Sequence, residues 1–244
     1  MSTAIIGNGY WSGILRPYIT KKFNTKYTVN SKFELRQIWG DSSVDSVFIV
    51  TPIETHYELA KEALLHGKHV FVEKPLTTSS KKAKELKRLA EQRNLSIVTD
   101  YTYTFSPNLQ KEAKKDIEYI ETKLYRNNSD KYANTSVHWV LSCHALSIVN
   151  MFMDIKSAKF YMLEPYVGMI IGNGFKIFTS LISPEKVTDI IVADSTFVRT
   201  IPIELDNLDR AVEYFYSCIY YNNVSNLDTA IRVTETIERG LRKC

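Results

Sequence analysis

The sequence is 244 residues long, a length that suits one large domain or two of modest size. Its hydrophobic fraction of 44% and charged fraction of 24% are those of an ordinary globular protein and exclude a disordered chain or a disulfide scaffold. The net charge of +4 is small beside 31 basic and 27 acidic side chains, so we expect no nucleic-acid partner.

Cysteine usage and hydropathy point to a cytoplasmic location. The cysteines at positions 143, 218 and 244 are far apart and form no Cys-x-x-Cys pair, so neither a disulfide framework nor a metal site is predicted. No apolar run approaches the roughly 20 residues that span a bilayer, and the first residues lack the layout of a signal peptide. We therefore expect no membrane partner.

Strand and helix patterns alternate through the first part of the chain. Short apolar runs predict strands near residues 3–6, 26–29, 44–50, 69–72 and 96–99. Turn residues and apolar positions at helical spacing follow each of the first four runs. Residues 1–105 are thus predicted to form an α/β Rossmann domain of the dinucleotide-binding kind, with a doubly wound parallel sheet.

The pattern changes after residue 105. A helix is predicted at 107–115, a strand at 117–126 and a longer helix at 135–153; three strands near 157–163, 168–181 and 187–203 and two helices at 206–221 and 225–241 follow. Consecutive strands flanked by helices are typical of an α+β domain with a mostly antiparallel sheet. We assign residues 106–244 to this second domain and expect it to bind substrate and to form oligomers.

A glycine turn joins the first strand to the first helix. Gly7 and Gly9 would allow the backbone N–H groups at the helix N-terminus to approach a pyrophosphate. Ser12 occupies the place of the third glycine of G-x-G-x-x-G, and Gly13 comes one residue later. The turn alone fits either dinucleotide binding or a purely structural role.

Three segments together carry a family resemblance. Gly7 to Trp11, Thr51-Pro52 with His56, and Glu73-Lys74-Pro75 resemble the motifs of the Gfo/Idh/MocA family of nicotinamide-dependent oxidoreductases. The resemblance extends through residue 107 and continues more weakly in the second domain. It implies hydride transfer to or from a carbonyl or secondary alcohol of a sugar or sugar-nucleotide-like substrate. The positions it places at the cofactor are Gly7, Asn8, Gly9, Tyr10, Trp11, Thr51, Pro52, His56, Glu73 and Lys74.

Lys74 and His144 are the predicted catalytic residues. Lys74 directly follows a strand end, where ligands bind in open α/β sheets, and its charge could stabilise an alkoxide; an exposed loop cation is the alternative. His144 shares an apolar helical stripe with Leu141 and Ile148, which fits a core histidine equally well. The resemblance implies that His144 transfers a proton. We predict that both side chains converge on one substrate oxygen.

One position departs from the family pattern. Val140 stands where the family carries an aspartate four residues before the histidine. His138 does not replace that acid, because six residues rotate it by about 240° from His144 on a 3.6-residue helix. A non-catalytic nucleotide-binding or assembly protein that has kept the fold therefore remains the alternative function.

Two tyrosines and the C-terminal sheet complete the expected contacts. Tyr101 and Tyr103 follow the last strand of the first domain and are predicted to contact the substrate. Family members commonly pair their C-terminal sheets, so we expect a homodimer or tetramer.

The basic residues after the second strand favour NADP over NAD. NAD sites usually carry an acid about 20 residues after the glycine turn, and this chain has no acidic residue before Glu34. Ser31 and Lys32 follow the second strand and are predicted to lie near the 2′-phosphate.

Overall fold

The computed structural model describes residues 1–30, 34–132, 135–204, 207–222 and 225–243. They divide into two units: residues 1–100 with 206–231, and residues 101–205 with 232–244. The sequence-based boundary at residue 105 had placed the whole of 106–244 in the second domain. The structure instead groups residues 206–231 with the first unit.

Eleven strands and eight α-helices make up the described part of the chain. The strands are β1 (Ser2–Ile6), β2 (Asn24–Val29), β3 (Ser46–Ile49), β4 (His69–Glu73), β5 (Ile97–Asp100), β6 (Tyr119–Asn127), β7 (Lys159–Glu164), β8 (Val167–Gly172), β9 (Phe175–Ser180), β10 (Ile182–Ala193) and β11 (Val198–Thr200). The helices are α1 (Tyr10–Lys22), α2 (Arg36–Gly40), α3 (Ile53–Leu65), α4 (Ser80–Arg93), α5 (Pro107–Glu112), α6 (Cys143–Phe152), α7 (Asn207–Tyr221) and α8 (Leu227–Leu241).

The first unit contains the predicted parallel sheet. Its five strands run in the order β2-β1-β3-β4-β5, and every neighbouring pair is parallel. Strands β3, β4 and β5 are buried along their length or nearly so, as strands covered on both faces must be. The strand order reverses between β1 and β3, so their carboxyl ends form the crevice where such sheets bind ligands. The doubly wound α/β prediction is confirmed.

An aromatic cluster explains why α7 belongs to the first unit. Phe215 of α7 is fully buried, and its ring centroid lies 5.8 Å from that of Phe23, 5.3 Å from Phe48 and 5.7 Å from Phe71. Aromatic rings at these separations combine a large buried apolar area with favourable edge and offset contacts. The helix is therefore part of the core beneath the parallel sheet.

The second unit contains a six-stranded sheet in the order β11-β10-β6-β9-β8-β7. Among the described strands of this second sheet, only the pair β6 and β9 is parallel, so the prediction of a mostly antiparallel sheet is confirmed. The run predicted as one strand at 168–181 is two, because Asn173-Gly174 turns the chain, with Gly174 at φ 76°. The run at 187–203 also divides, because Asp194 Oδ1 accepts hydrogen bonds from the backbone N–H groups of Thr196 and Phe197.

A π-helical turn over residues 138–142 precedes α6. Its hydrogen bonds span five residues instead of four, so the 3.6-residue count that separated His138 from His144 does not apply through this turn. His138 is fully buried within it: its Nδ1 lies 3.0 Å from Ser142 Oγ, and its ring packs edge-on against Phe160. This histidine is a core residue of the second unit.

We expect the stability of the protein to fall in acid because of His138. Burial lowers the pKa of His138 to about 4. A histidine with a depressed folded-state pKa contributes stability that is present above its unfolded pKa of about 6.5 and is lost as pH falls toward the folded value. This pKa difference between the unfolded and folded states corresponds to a loss of roughly 3 kcal/mol in the free energy of unfolding. Urea unfolding at pH 7, 5 and 4 measures the loss.

The control for this prediction is a second histidine. His138→Gln should flatten the pH dependence of unfolding, whereas His66→Gln, at an exposed position, should leave it as in the wild type. Equal slopes for wild type and His138→Gln would contradict the prediction.

Candidate active site

The turn between β1 and α1 passes close to the end of β3. Gly7 has φ 121°, and a Cβ atom placed on it would lie 2.2 Å from the carbonyl oxygen of Val50. Only glycine fits there. Ser12, at the place of the missing third glycine, is buried, and its hydroxyl donates to the Gly7 carbonyl at 2.8 Å. The serine therefore fastens the turn to the first turn of α1.

The N-terminus of α1 is open at Gly9. Gly9 is the N-cap residue, no side chain caps the helix, and no acidic residue lies in its first turn. A Cβ atom at Gly9 would meet nothing within 4 Å, so the backbone is accessible at this point. Exposed N–H groups and the positive end of the helix dipole suit a pyrophosphate. The residues present thus fit a dinucleotide, and Asn8 and Tyr10 beside them are exposed.

Gly9→Ala should separate ligand binding from folding. The added methyl group meets no protein atom, so we expect an unchanged melting temperature. It projects into the space that a pyrophosphate would use, and NADPH affinity should fall by roughly tenfold or more. Thermal unfolding and fluorescence titration with NADPH measure the two effects. Gly40→Ala, also in open space but at the end of α2, is the control. Unchanged NADPH affinity in Gly9→Ala would contradict the prediction.

Glu73 contacts the first turn of α1 through Trp11. It is buried, and its carboxyl oxygen accepts a hydrogen bond from the indole N–H of Trp11. Asp100, fully buried, is its register partner on β5. Burial first, and then repulsion from Asp100, raise the pKa of Glu73 well above its ordinary value. The raised pKa favours the protonated form of Glu73, and the hydrogen bond shows that Glu73 positions Trp11 instead of facing open space.

His56 joins the loops that follow β3 and β4. Its Nδ1 lies 2.8 Å from the Pro75 carbonyl and its Nε2 lies 2.8 Å from the Thr51 carbonyl. The ring is buried, and this burial lowers the pKa of His56, so the neutral form is favoured. A neutral ring donates to one of these carbonyls and a protonated ring to both, so His56 links the two loops through at least one hydrogen bond. These contacts give His56 a supporting role, and its cofactor contact stays a prediction.

Lys74 lies at the carboxyl end of β4, and Thr51 and Pro52 follow β3. Lys74 is half-buried, and its peptide bond to Pro75 is cis. Thr51 is half-buried and accepts a hydrogen bond from the Thr55 hydroxyl at 2.7 Å, while Pro52 is exposed. The first unit thus presents the glycine turn, Thr51 and Lys74 at the carboxyl ends of β1, β3 and β4. Ser31 and Lys32 lie outside the described residues.

In the second unit, His144 lies beside Tyr103. Their ring centroids are 5.1 Å apart at an angle of 74°, and both side chains are half-buried. Tyr101 is different: it is fully buried, and burial raises the pKa of its phenol well above the ordinary value. Tyr101 is therefore a core residue of the second unit, and its substrate contact stays a prediction.

Val140 belongs to an apolar cluster. It is 3% exposed and packs with Val137, Leu141 and Leu181. A carboxylate at this position would be buried among aliphatic side chains, which is costly. The structure therefore explains why the position is aliphatic in this chain.

Two site residues were missed from the sequence. Asp100 ends β5, and its place at a strand end was the one available signal. Arg126 lies near the end of β6 and donates to the Tyr103 hydroxyl at 2.7 Å. No local pattern relates Arg126 to a tyrosine 23 positions earlier. The convergence of Lys74 and His144, which belong to different units, remains a prediction.

No helix in the described residues is both long and apolar enough to cross a membrane.

Comparison with known proteins finds sequence similarity in part of the chain and a shared fold over nearly all of it. Residues 12–101 match the family model described as "Oxidoreductase family, NAD-binding Rossmann fold". An uncharacterized oxidoreductase of Synechocystis is 36% identical over 92 residues, which are 38% of this chain and 24% of that protein. The scyllo-inositol 2-dehydrogenase (NADP(+)) of Bacillus subtilis is 31% identical over 102 residues, 41% of this chain and 31% of that protein. The matched stretches thus span about a quarter to a third of these relatives.

A solved structure resembles the whole chain. The UDP-N-acetylglucosamine 3-dehydrogenase GnnA from Acidithiobacillus ferrooxidans superposes with a TM-score of 0.86 at 16% identity, over 98% of this chain and 96% of that chain. At this identity the likeness shows a shared fold alone. Residues 12–101 thus resemble the NAD-binding Rossmann domain of this oxidoreductase family, and the chain as a whole shares the two-domain fold of the solved structure.

Proposed function

We propose that the protein is an NAD(P)-dependent oxidoreductase that acts on a carbonyl or secondary alcohol of a sugar or sugar-nucleotide-like substrate. The observation that carries the proposal is the open N-terminus of α1 at Gly9, placed at the strand-order reversal of the parallel sheet. The names of similar proteins, an inositol dehydrogenase and a sugar-nucleotide dehydrogenase, support the substrate class.

The roles of the chain's own residues follow from their chemistry. A nicotinamide cofactor, when bound, supplies or accepts the hydride. The Lys74 ammonium polarises the substrate oxygen and stabilises the negative charge that develops on it. His144, or a water molecule, transfers the proton that this oxygen gains on reduction or loses on oxidation. Glu73 and His56 hold the loops in place.

We propose NADP as the preferred cofactor. No acidic residue precedes Glu34, so the first 33 residues offer no carboxylate to bind the ribose hydroxyls or to repel a 2′-phosphate. The excess of lysine and arginine in the same segment favours the additional phosphate of NADP.

We also propose a cytoplasmic location. The described cysteines Cys143 and Cys218 are free thiols, which is consistent with a reducing compartment.

The test is fluorescence titration with NADPH and NADH, followed by absorbance assays with NADP⁺ and either scyllo-inositol or UDP-N-acetylglucosamine. We expect enhanced nicotinamide emission, tighter binding of NADPH than of NADH, and reduction of NADP⁺ with one of these compounds. Equal affinities would overturn the cofactor preference. Failure to bind at millimolar cofactor would overturn the proposed function.

A non-catalytic nucleotide-binding protein is the second candidate. The aliphatic cluster around Val140 favours it, because the acid of the family pattern is absent. Cofactor binding without turnover of either compound, or of other sugars in a wider panel, would support this candidate.

We also propose that the protein is a homodimer or tetramer through the sheet of the second unit. Tyr161, Met169 and Phe178 are register neighbours on β7, β8 and β9 and are exposed or half-buried on one face. A second copy would cover such an apolar row. Sedimentation at micromolar concentration should show a multiple of the 28.1 kDa chain mass, and Met169→Lys should shift it toward the monomer. A monomeric wild type would contradict the prediction.

A further inference from the structure

Arg126 is held by neutral acceptors alone in the described residues. One guanidinium nitrogen donates to the carbonyls of Tyr125 at 2.6 Å and Val187 at 2.7 Å. The other donates to the hydroxyls of Tyr103 at 2.7 Å and Thr188 at 3.0 Å. The side chain is half-buried. Its position and orientation are therefore fixed by four hydrogen bonds.

Arg199 in the same unit shows the ordinary arrangement. Its guanidinium forms ion pairs with Glu112 at 2.7 Å and Asp194 at 3.1 Å. Arg126 has no carboxylate within 4.0 Å among the residues that the structure describes. A half-buried cation without a counter-ion is costly. The positive charge of Arg126 is not neutralised by a neighbouring carboxylate of the described residues. It can polarise the Tyr103 hydroxyl, to which Arg126 donates a hydrogen bond.

The Tyr103 hydroxyl is oriented by this contact. Its oxygen accepts from Arg126, so its hydrogen turns away from the guanidinium and can donate to a ligand atom. Donation from a cation polarises the phenol and strengthens it as a hydrogen-bond donor. The ring packs against His144 with a centroid separation of 5.1 Å. The ring that carries the oriented hydroxyl is thus a neighbour of the predicted proton-transfer residue.

We propose that Arg126 is a positioning residue that holds the Tyr103 hydroxyl beside His144 as a hydrogen-bond donor to the reacting oxygen of the substrate. The inference rests on the proposed function and adds to it a donor from the second unit. A polarised phenol binds an oxygen more strongly as negative charge develops on it, so the contact favours the transition state over the ground state. Tyr103 touches the substrate, and Arg126 acts through Tyr103.

The first test requires no activity. The full chain is labelled with [¹³Cζ]tyrosine, and the signal of Tyr103 is identified by its loss in Tyr103→Phe. Arg126→Gln should shift this signal, and Arg126→Lys, which retains the charge but not the planar fork, should shift it less. Arg199→Gln is the matched control, which should leave the Tyr103 signal in place. An unmoved Tyr103 signal in folded Arg126→Gln would overturn the proposal.

The second test is a double-mutant cycle, with NADP⁺ and whichever of scyllo-inositol or UDP-N-acetylglucosamine is oxidised. Arg126→Gln should lower kcat by about 10- to 100-fold, with the Kd for NADPH unchanged. In the Tyr103→Phe background the same substitution should change kcat by less than about twofold, because its effect passes through the missing hydroxyl. Equal losses in both backgrounds would overturn the proposal.

The two tests separate the inference from the proposed function. Lack of NADPH binding by the wild type would overturn the proposed function and, with it, the substrate contact of Tyr103, whatever the NMR result. Binding and turnover by the wild type, with no response of Tyr103 to Arg126→Gln, would overturn the inference alone. If Arg126→Gln does not fold, both the NMR measurement and the double-mutant cycle are performed with Arg126→Lys.

Discussion

Replacing Lys74 with alanine should lower turnover by about 100-fold or more while the protein remains folded and binds NADPH. Lys74 lies at the carboxyl end of β4, next to the loop that follows β3. Its ammonium group is the proposed stabiliser of the alkoxide charge that develops on the substrate oxygen in the transition state of hydride transfer. Its loss should therefore appear in kcat, measured by steady-state assays with the compound that the protein oxidises.

Lys81→Ala is the matched control for Lys74→Ala. Lys81 is an exposed lysine in the first turn of α4, so its removal should leave turnover unchanged. Unchanged turnover in Lys74→Ala, with the cofactor still bound, would remove the catalytic assignment and favour the non-catalytic candidate.

His144 tests whether the two predicted catalytic residues act together. His144→Ala should lose general acid–base assistance, about 100-fold in rate. If Lys74 and His144 act on one substrate oxygen, the double variant should be little slower than the slower single variant. Fully multiplicative losses would contradict their convergence.

Gly7→Ala should destabilise the protein by roughly 3 kcal/mol or more, because φ near 121° is accessible only to glycine and the new methyl group collides with the Val50 carbonyl. Urea unfolding measures the loss, and a failure to obtain folded protein is consistent with it. Gly13→Ala is the matched control: this glycine lies inside α1 with open space around its Cβ position. It should raise the free energy of unfolding by about 0.5–1 kcal/mol. A Gly7→Ala variant as stable as the wild type would contradict the prediction.

The parallel sheet could be predicted because its signals are local. Each strand is a short apolar run, and each is followed by turn residues and a helical stripe, so the alternation alone indicates the fold. The glycine turn and Glu73-Lys74-Pro75 were located for the same reason, since both directly follow strands. What these residues contact could not be predicted: His56 bonds to a carbonyl 19 positions away, and Glu73 accepts from an indole 62 positions away.

The second unit shows where local patterns fail. The Asn-Gly turn at 173–174 is a hairpin signal, but the continuous apolar run around it favoured one long strand. The π-helical turn at 138–142 carries no composition signal, so the 3.6-residue count between His138 and His144 did not hold there. The apolar cluster that contains Val140 also depends on Leu181, which is distant in sequence. Assigning α7 to the first unit required the position of Phe215, which depends on three partners distant in sequence.

Burial of Glu73 beside Asp100 affects the charge balance at this edge of the sheet, because burial and repulsion from Asp100 raise the pKa of Glu73. Two ionised carboxylates next to Lys74 would leave a net charge of −1, and the edge would repel an incoming anion. The raised pKa of Glu73 favours its neutral form, and a neutral Glu73 would leave one carboxylate charge at Asp100 to be balanced by Lys74. A doubly charged pyrophosphate therefore approaches the start of α1 without a net repulsive field from these three residues. Burying the acids together makes the site compatible with an anionic ligand even though it is built on two acidic side chains.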